Sequence, residues 1–395
     1  MTANIPARDT PRADAGRTVL SEFLLDPRHL HLNHGSYGAL PISVFEEQTR
    51  IHAQIERDPT SYFQFEYPQA VRDSAAVAAA KFGGEARDWV FCENATAAVN
   101  SVLSSLPLNE NDEIVTTSHA YGAVMKAMRI WAERRGAKLV VADVPPFVEG
   151  DDQIVAAIEG VLTPRTRLLV ADHITSATAI IFPAARIVKA AHDKGVPVLI
   201  DGAHVPGHIA LDVPAVGADW YTGNAHKWLF APKACGLLWT SPDRQSMTRP
   251  VVLSHGSEES YIAAFDWIGT RDATPWLCLK AAIRAHDRYG GARLMARNSQ
   301  LAAEAADFLS HRLNGRVSAP AGMRGAMAAL ALDTPPDQAD PPTIRRRLAQ
   351  EFGITVPVFA FADRLWVRIS AQVYNETGDY EALAEALAKC LAGSA

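Results

Sequence analysis

The chain has 395 residues, 48% of them hydrophobic and 21% charged, with 38 basic against 44 acidic side chains and a net charge of −6. That is enough chain for two or three domains and too apolar for intrinsic disorder. The mild acidity lacks the basic excess that grips a nucleic-acid backbone.

Residues 1–25 are polar and rich in Pro, Arg and Asp, and are expected to form a flexible arm. Arg and Asp interleave there without the apolar stretch of a secretory leader, so the cytoplasm is the default expectation. No apolar run approaches the roughly 18 residues needed to span a bilayer, so no membrane role is expected. Up to about residue 250, short apolar runs alternate with segments of helical period. Trp89–Cys92, Glu113–Thr117, Lys138–Ala142, Leu168–Asp172, Pro197–Asp201, Asp219–Thr222 and Gly236–Thr240 are predicted as strands. Several, such as VPVLID, are continuously apolar, as strands covered on both faces are. Ala184–Lys194 has helical spacing and stops at Gly195. Strands alternating with helices predict an α/β, three-layer sandwich around a mainly parallel sheet, over residues 26–274.

The pattern changes after Thr274-Pro275. Helical period runs from Trp276 to Leu313 and a Pro-rich connector follows (Thr334-Pro335-Pro336, Asp340-Pro341-Pro342). A helix at Thr343–Phe352, short strands at Ile354–Val358 and Leu365–Ile369, and a last helix to about Leu391 complete a smaller α+β domain, 275–395. Cys92, Cys235, Cys278 and Cys390 are too scattered to staple a fold. Cys92 and Cys235 read as buried thiols.

Common catalytic signatures are missing: the sequence has no GxxxxGK[ST], GxGxxG or HExxH. His204 and His208 are separated by Pro206 and Gly207 and cannot share a helical face as metal ligands. His34-Gly-Ser-Tyr-Gly38 only resembles a nucleophile elbow, since no strand precedes it. Asp201 closes one apolar strand, and Lys227 follows the next, 26 positions later. Strand C-termini in an open α/β sheet gather at the ligand crevice, so both side chains are placed to face one ligand. Pyridoxal phosphate needs this pair: a lysine to form a Schiff base with its aldehyde and a carboxylate to hold its ring nitrogen protonated. A strand-end aspartate and a surface lysine would give the same pattern. Cys92-Glu-Asn-Ala95-Thr96 leaves a strand into an Ala-rich helix, whose first amides and the Thr96 hydroxyl make an anion site or a plain N-cap.

These segments resemble the class V aminotransferase superfamily of fold type I pyridoxal phosphate enzymes, and within it the isopenicillin N epimerase-like branch. The resemblance covers nearly the whole chain: LNHGSYGALP at 32–41, ENATAAVN at 93–100, DHITSATAIIFP at 172–183, IDGAHVPG at 200–207, GNAHKW at 223–228, GTRD at 269–272 and VRIS at 367–370. It implies that Lys227 carries the cofactor and shuttles the Cα proton, that Asp201 binds the pyridine nitrogen, and that His204 lies near the ring hydroxyl or ring face. Ala95 and Thr96 would hold the phosphate, with contacts from His226 and Asn224, although relatives outside the branch have serine at position 224. Tyr121, or less favourably His119, would stack on the ring, and Ser176 would lie near the ring hydroxyl. Thr270 would reach the phosphate of a neighbouring subunit, making the site depend on a homodimer. Arg368 would grip the substrate α-carboxylate, and Asn33 and Ser36 would line the substrate mouth. Without the family, Arg368 reads equally as a strand-end surface residue and 33–38 as a structural turn. Arg271 is expected to anchor Asp272 or Asp266.

The resemblance also bears on the reaction. Desulfurases of the superfamily need a nucleophilic cysteine on a small-domain loop, and the corresponding stretch, Ser318–Met327, has none. A persulfide-transferring desulfurase is therefore not expected; the likeness to the isopenicillin N epimerase-like branch implies an amino-acid epimerase, with Tyr121, His119 or His204 as second proton donor. A C–S β-lyase acting on a cysteine conjugate or sulfoxide, as in the ergothioneine type, or an aminotransferase is the alternative. A pyridoxal phosphate-binding module without turnover is the alternative of another class.

Overall fold

The computed structural model describes residues 15–334 and 339–392. Residues 1–14 of the expected arm and 335–338 of the expected connector lie outside the described residues. The rest of the arm is folded: Arg17–Glu22 is a 3₁₀ helix, Val19 and Phe23 are buried, and Gly16 N–H donates to Val373 O at 2.7 Å.

The strands in chain order are β1 (Leu30–His31), β2 (Trp89–Cys92), β3 (Glu113–Thr117), β4 (Lys138–Ala142), β5 (Thr166–Asp172), β6 (Val198–Gly202), β7 (Trp220–Asn224), β8 (Gly236–Thr240), β9 (Gly315–Val317), β10 (Met327–Leu332), β11 (Ile354–Thr355), β12 (Val358–Phe361) and β13 (Arg364–Ser370). The large sheet has the order β2-β8-β7-β6-β5-β3-β4, and only β8 runs against the others. Successive residues along a strand serve opposite cores. Val115, Val198 and Ile200 join the cluster containing helices 42–57 and 67–82, while Ile114 and Leu199 join the one containing helices 95–105 and 122–134. This is the three-layer fold type I sandwich.

The small sheet, β12-β13-β10-β9, is antiparallel. One face packs on helices 292–313 and 377–392, burying Leu301, Leu330, Val367 and Leu383. The other face, through Ala329, Ala331 and Trp366, packs on Trp228 and Ile174 of the site loops. Across the sequence division at 274/275, β1 pairs in parallel with β11, while Trp276, Leu279 and Tyr289 belong to the large core.

Two elements differ from the sequence reading, and a third runs against local propensity. The helical run 276–313 is three helices, Thr274–Leu277, Leu279–Arg288 and Ala292–Leu313, with Gly290 and Gly291 at positive φ between the last two. The predicted strand 354–358 is two strands parted at Pro357, which has no N–H to donate to a ladder. MAALAL, at 327–332, carries good helix formers and no β-branched residue, yet forms the fully buried central strand β10.

Two buried histidines tie these layers together. His208 donates from Nδ1 to His204 O at 2.9 Å and accepts the Ala326 N–H on Nε2 at 2.6 Å. His34 donates from Nε2 to Lys227 O at 3.0 Å and accepts the Tyr374 hydroxyl on Nδ1 at 2.9 Å. Burial pushes both rings from 6.5 down to about 3. Between those limits the unfolded chain binds more protons than the folded one, so stability falls as pH drops below 6.5 and is untouched by these rings above it. Each should remove about 1.4 kcal/mol per pH unit in that window. A urea midpoint clearly lower at pH 5 than at pH 7 is expected; equal midpoints would contradict this account.

Candidate active site

The site lies where parallel strands end. Asp172 closes β5 and Asp201 lies near the end of β6, and the two are partners in the ladder, so their side chains share one face. Both are buried. Burial raises the Asp172 carboxyl well above the usual range, and the neighbouring Asp201 charge pushes it further. Asp201 is also raised by burial, opposed by the Ala203 N–H that donates to its Oδ1 at 2.9 Å and by Lys227. A buried carboxyl pair of this kind holds on to a proton.

Lys227 follows β7, and its Nζ stands 3.2 Å from His204 Nε2. The Trp228 indole N–H points at His204 Nδ1 from 3.4 Å, which leaves the His204 proton on Nε2, directed at the lysine amine. Burial and then the Arg368 charge lower Lys227 from 10.5 to about 7, against the pull of Asp201 and Asp172. An amine of this kind is neutral, and so nucleophilic, in a large fraction of molecules near pH 7, where an ordinary lysine is almost wholly charged.

Arg368, on β13, is buried beside it. One guanidinium nitrogen donates to Ser176 O and, at 3.3 Å, to Ser176 Oγ; the other donates to Ser36 Oγ at 2.9 Å and Asn33 Oδ1 at 3.4 Å. Its Nε is buried without a partner. Asn33 and Ser36 thus come together with Arg368, and Ser176, expected near a ring hydroxyl, is on the arginine instead. Asn33–Gly38 also touches the lysine end. A Cβ at Gly38 would stand 2.2 Å from His226 O and 2.8 Å from Lys227 O, at a φ of +69° that favours glycine in any case. One short segment, a loop that closes into a helical turn at His34–Tyr37, therefore braces the Lys227 backbone and the Arg368 side chain.

Helix Ala95–Ser105 begins beside the end of β7. Its N-cap Asn94 accepts the Ala97 N–H at 3.0 Å, and Asn224 Oδ1 accepts the Ala95 N–H at 2.8 Å. The Ala95 amide is thus engaged, and the Asn224 oxygen is what engages it. Thr96 N–H and hydroxyl keep no partner among the described residues, and His226 Nδ1 is buried without one. Gly236 lets β8 pass this helix start, since a Cβ there would stand 2.6 Å from Asn94 Cα.

Tyr121 and His119 separate cleanly. His119 is locked, with Nδ1 on Thr178 Oγ1 at 2.7 Å and Nε2 facing the carbonyls of Val144 and Pro145. Tyr121 is 47% exposed and lines a cavity with Arg368 and Ser176. Thr270 is exposed, and its neighbours Ile268 and Arg271 line a surface cavity with Asn94 and Thr96. Arg271 binds Glu93 Oε1 and Phe265 O and lies over Trp276, whereas Asp266 is held by Arg72 and Asp272 by His52. The stretch that reaches the Arg368 cavity is Pro357–Phe361, not Ser318–Met327, and it too lacks cysteine. All four thiols are buried, and Cys92 and Cys278 are pushed up to about 12.

Asp172, His34 and Trp228 were not singled out as site residues from sequence. Asp172 had a signal: LLVAD ends a strand in an aspartate just as PVLID does. His34 and Trp228 act through contacts made only by folding.

These groups fit one ligand: an acid pair for a ring nitrogen, a neutral amine for an aldehyde, and a phosphate cradle with the unpartnered Thr96 and His226 donors open to an anion. The family model for class-V aminotransferases matches residues 43–358. An isopenicillin N epimerase of Amycolatopsis lactamdurans is 32% identical over 95% of this chain and 98% of its own. An L-cysteine desulfhydrase of Arabidopsis thaliana is 27% identical over 98% of this chain and 94% of its own. A cysteine desulfurase structure from Thermococcus onnurineus superposes with a TM-score of 0.79 at 18% identity, covering 97% of this chain and all of that one. Among the described residues, no helix is long and apolar enough to cross a membrane. The chain belongs to the class-V aminotransferase family and is a fold type I enzyme whose cofactor is pyridoxal 5′-phosphate.

Proposed function

We propose that the enzyme epimerises an amino acid at Cα. The observation that carries the Cα chemistry is the segment Asn33–Gly38, with its helical turn His34–Tyr37, which braces the Lys227 backbone at one end and the Arg368 guanidinium at the other. Arg368 takes the substrate α-carboxylate on its Nε–H, which has no partner among the described residues, and the second oxygen completes the fork by displacing Asn33 Oδ1, the long 3.4 Å acceptor, from the neighbouring terminal nitrogen. That grip sets the Cα hydrogen at a fixed offset from the Lys227 amine, the positional advantage on which proton transfer depends.

Pyridoxal phosphate, when bound, supplies an electron sink for the pair left at Cα as its proton departs. Asp201, backed by the protonated Asp172, holds the ring nitrogen; Thr96 and His226 hold the phosphate; Tyr121 flanks the ring. The Lys227 amine takes the Cα proton on one face, oriented by His204 Nε2–H. The Tyr121 hydroxyl, on the cavity side, returns a proton to the other face. Thr270, exposed on its own subunit, reaches the phosphate site of a second copy in a homodimer, and the enzyme works in the cytoplasm.

Epimerisation is favoured over C–S lysis by the 32% identity to an epimerase across nearly the whole chain. The desulfhydrase relative supports β-elimination as the second reading. The high, buried thiols speak against persulfide transfer under either.

Borohydride reduction followed by peptide mass mapping should find the cofactor adduct on Lys227, and Lys227→Ala should lose it; an adduct on another lysine would end the assignment. Because the amine titrates near 7, loading of cofactor-free protein should accelerate from pH 6 to 8 and then level off. A rate still climbing toward pH 10 would mean an ordinary lysine. In deuterated water, L-amino acids should exchange their Cα hydrogen and yield the D-enantiomer. Pyruvate release from cysteine derivatives without D-product would establish the lyase instead.

A further inference from the structure

We infer that the amino acid handled here carries an uncharged, apolar side chain of aromatic or comparable bulk; this rests on the reading of Arg368 as the carboxylate grip. The cavity of about 330 Å³ beside Arg368 is walled by Tyr121, Ser176, Pro357, Phe359 and Phe361. In the β12–β13 ladder, Phe359 stands opposite Trp366, two residues from Arg368 on the same sheet face. At about 3.3 Å per residue, that aromatic pair stands about 7 Å along the strand from the Arg368 backbone. That is the reach from an α-carboxylate to a substrate side chain. Phe359 and Phe361 pack against the Trp366 and Trp228 cluster, so the wall is fixed.

The polar groups of the cavity are nearly all committed. Ser176 serves Arg368, as do Asn33 and Ser36 just behind it. His119, also on the wall, has both ring nitrogens engaged with Thr178 and the carbonyls of Val144 and Pro145, and burial keeps it neutral. Among the described residues, no charged side chain other than Arg368 lines the cavity. A distal carboxylate or ammonium would enter this cavity without a counter-ion, whereas an apolar side chain would meet three apolar walls.

Titrating the holoenzyme with amino acids and following the cofactor absorbance separates binding from turnover. L-Phenylalanine, L-leucine and S-benzyl-L-cysteine should bind at least about tenfold more tightly than L-glutamate, L-2-aminoadipate or L-lysine, the scale of one good apolar pocket. Equal or tighter binding of the charged compounds would overturn the inference while leaving the Cα chemistry intact. A spectrum unmoved by every amino acid would overturn the functional reading and this inference with it. Phe359→Ala should lower the preference for phenylalanine over alanine by about tenfold. An unchanged ratio would mean that the ring only supports the fold.

Discussion

Two buried bases share one cleft, and the charge of Arg368 holds down the proton affinity of Lys227. Burial alone would already favour the neutral amine, and a fixed guanidinium in the same low-dielectric space adds to that preference. Arginine can do this because its own charge survives burial: its affinity is lowered only to about 10, still protonated at any working pH. The lysine yields because the arginine does not. Below them, the adjacent carboxyls Asp172 and Asp201 keep the cleft from a large positive excess, and holding a proton between them avoids a double negative charge.

Such a set of charges is stable only if the side chains cannot relax away from one another. The segment Asn33–Gly38, a loop that closes into one helical turn at His34–Tyr37, supplies that restraint from the sequence-distant N-terminal region. His34 donates to the Lys227 carbonyl, Gly35 N–H donates to Ser370 Oγ at 3.1 Å, and Asn33 and Ser36 accept from Arg368. The glycines are sites of contact rather than of slack: a Cβ at Gly35 would stand 2.6 Å from the Met327 sulfur. The same loop thus fixes the amine that follows the large sheet and the guanidinium borne by the small one.

The large sheet was legible because its strands are buried on both faces and read as unbroken apolar runs, with Asp201 and Lys227 at their ends where the topology puts ligands. Arg368 was legible by family likeness alone. What escaped was set by partners distant in sequence. The MAALAL stretch is helical by propensity and becomes strand β10 because β13 and β9 flank it. His34 looks like part of a failed nucleophile motif until Lys227 O is placed against it. Asn224 and Ala95, read separately as phosphate ligands, bond to each other because β7 ends where the helix begins.

This last pairing narrows what the helix start can do. Asn94 takes the Ala97 amide and Asn224 the Ala95 amide, leaving Thr96 with both its N–H and its hydroxyl free between them. Anion affinity at a helix N-terminus comes from unpaired donors and the macrodipole together, and here the donors are reduced to one residue. His226, two positions beyond Asn224, supplies the missing one: its Nδ1 is buried and unpartnered. Burial and the adjacent Lys227 lower the ring to about 4, opposed by its hydrogen bond to the Cys235 backbone, so it would meet an anion uncharged, and as a donor only in the tautomer that carries the proton on Nδ1. A phosphate would then be held by geometry more than by charge, which fits a cleft whose positive charge is already committed to Arg368.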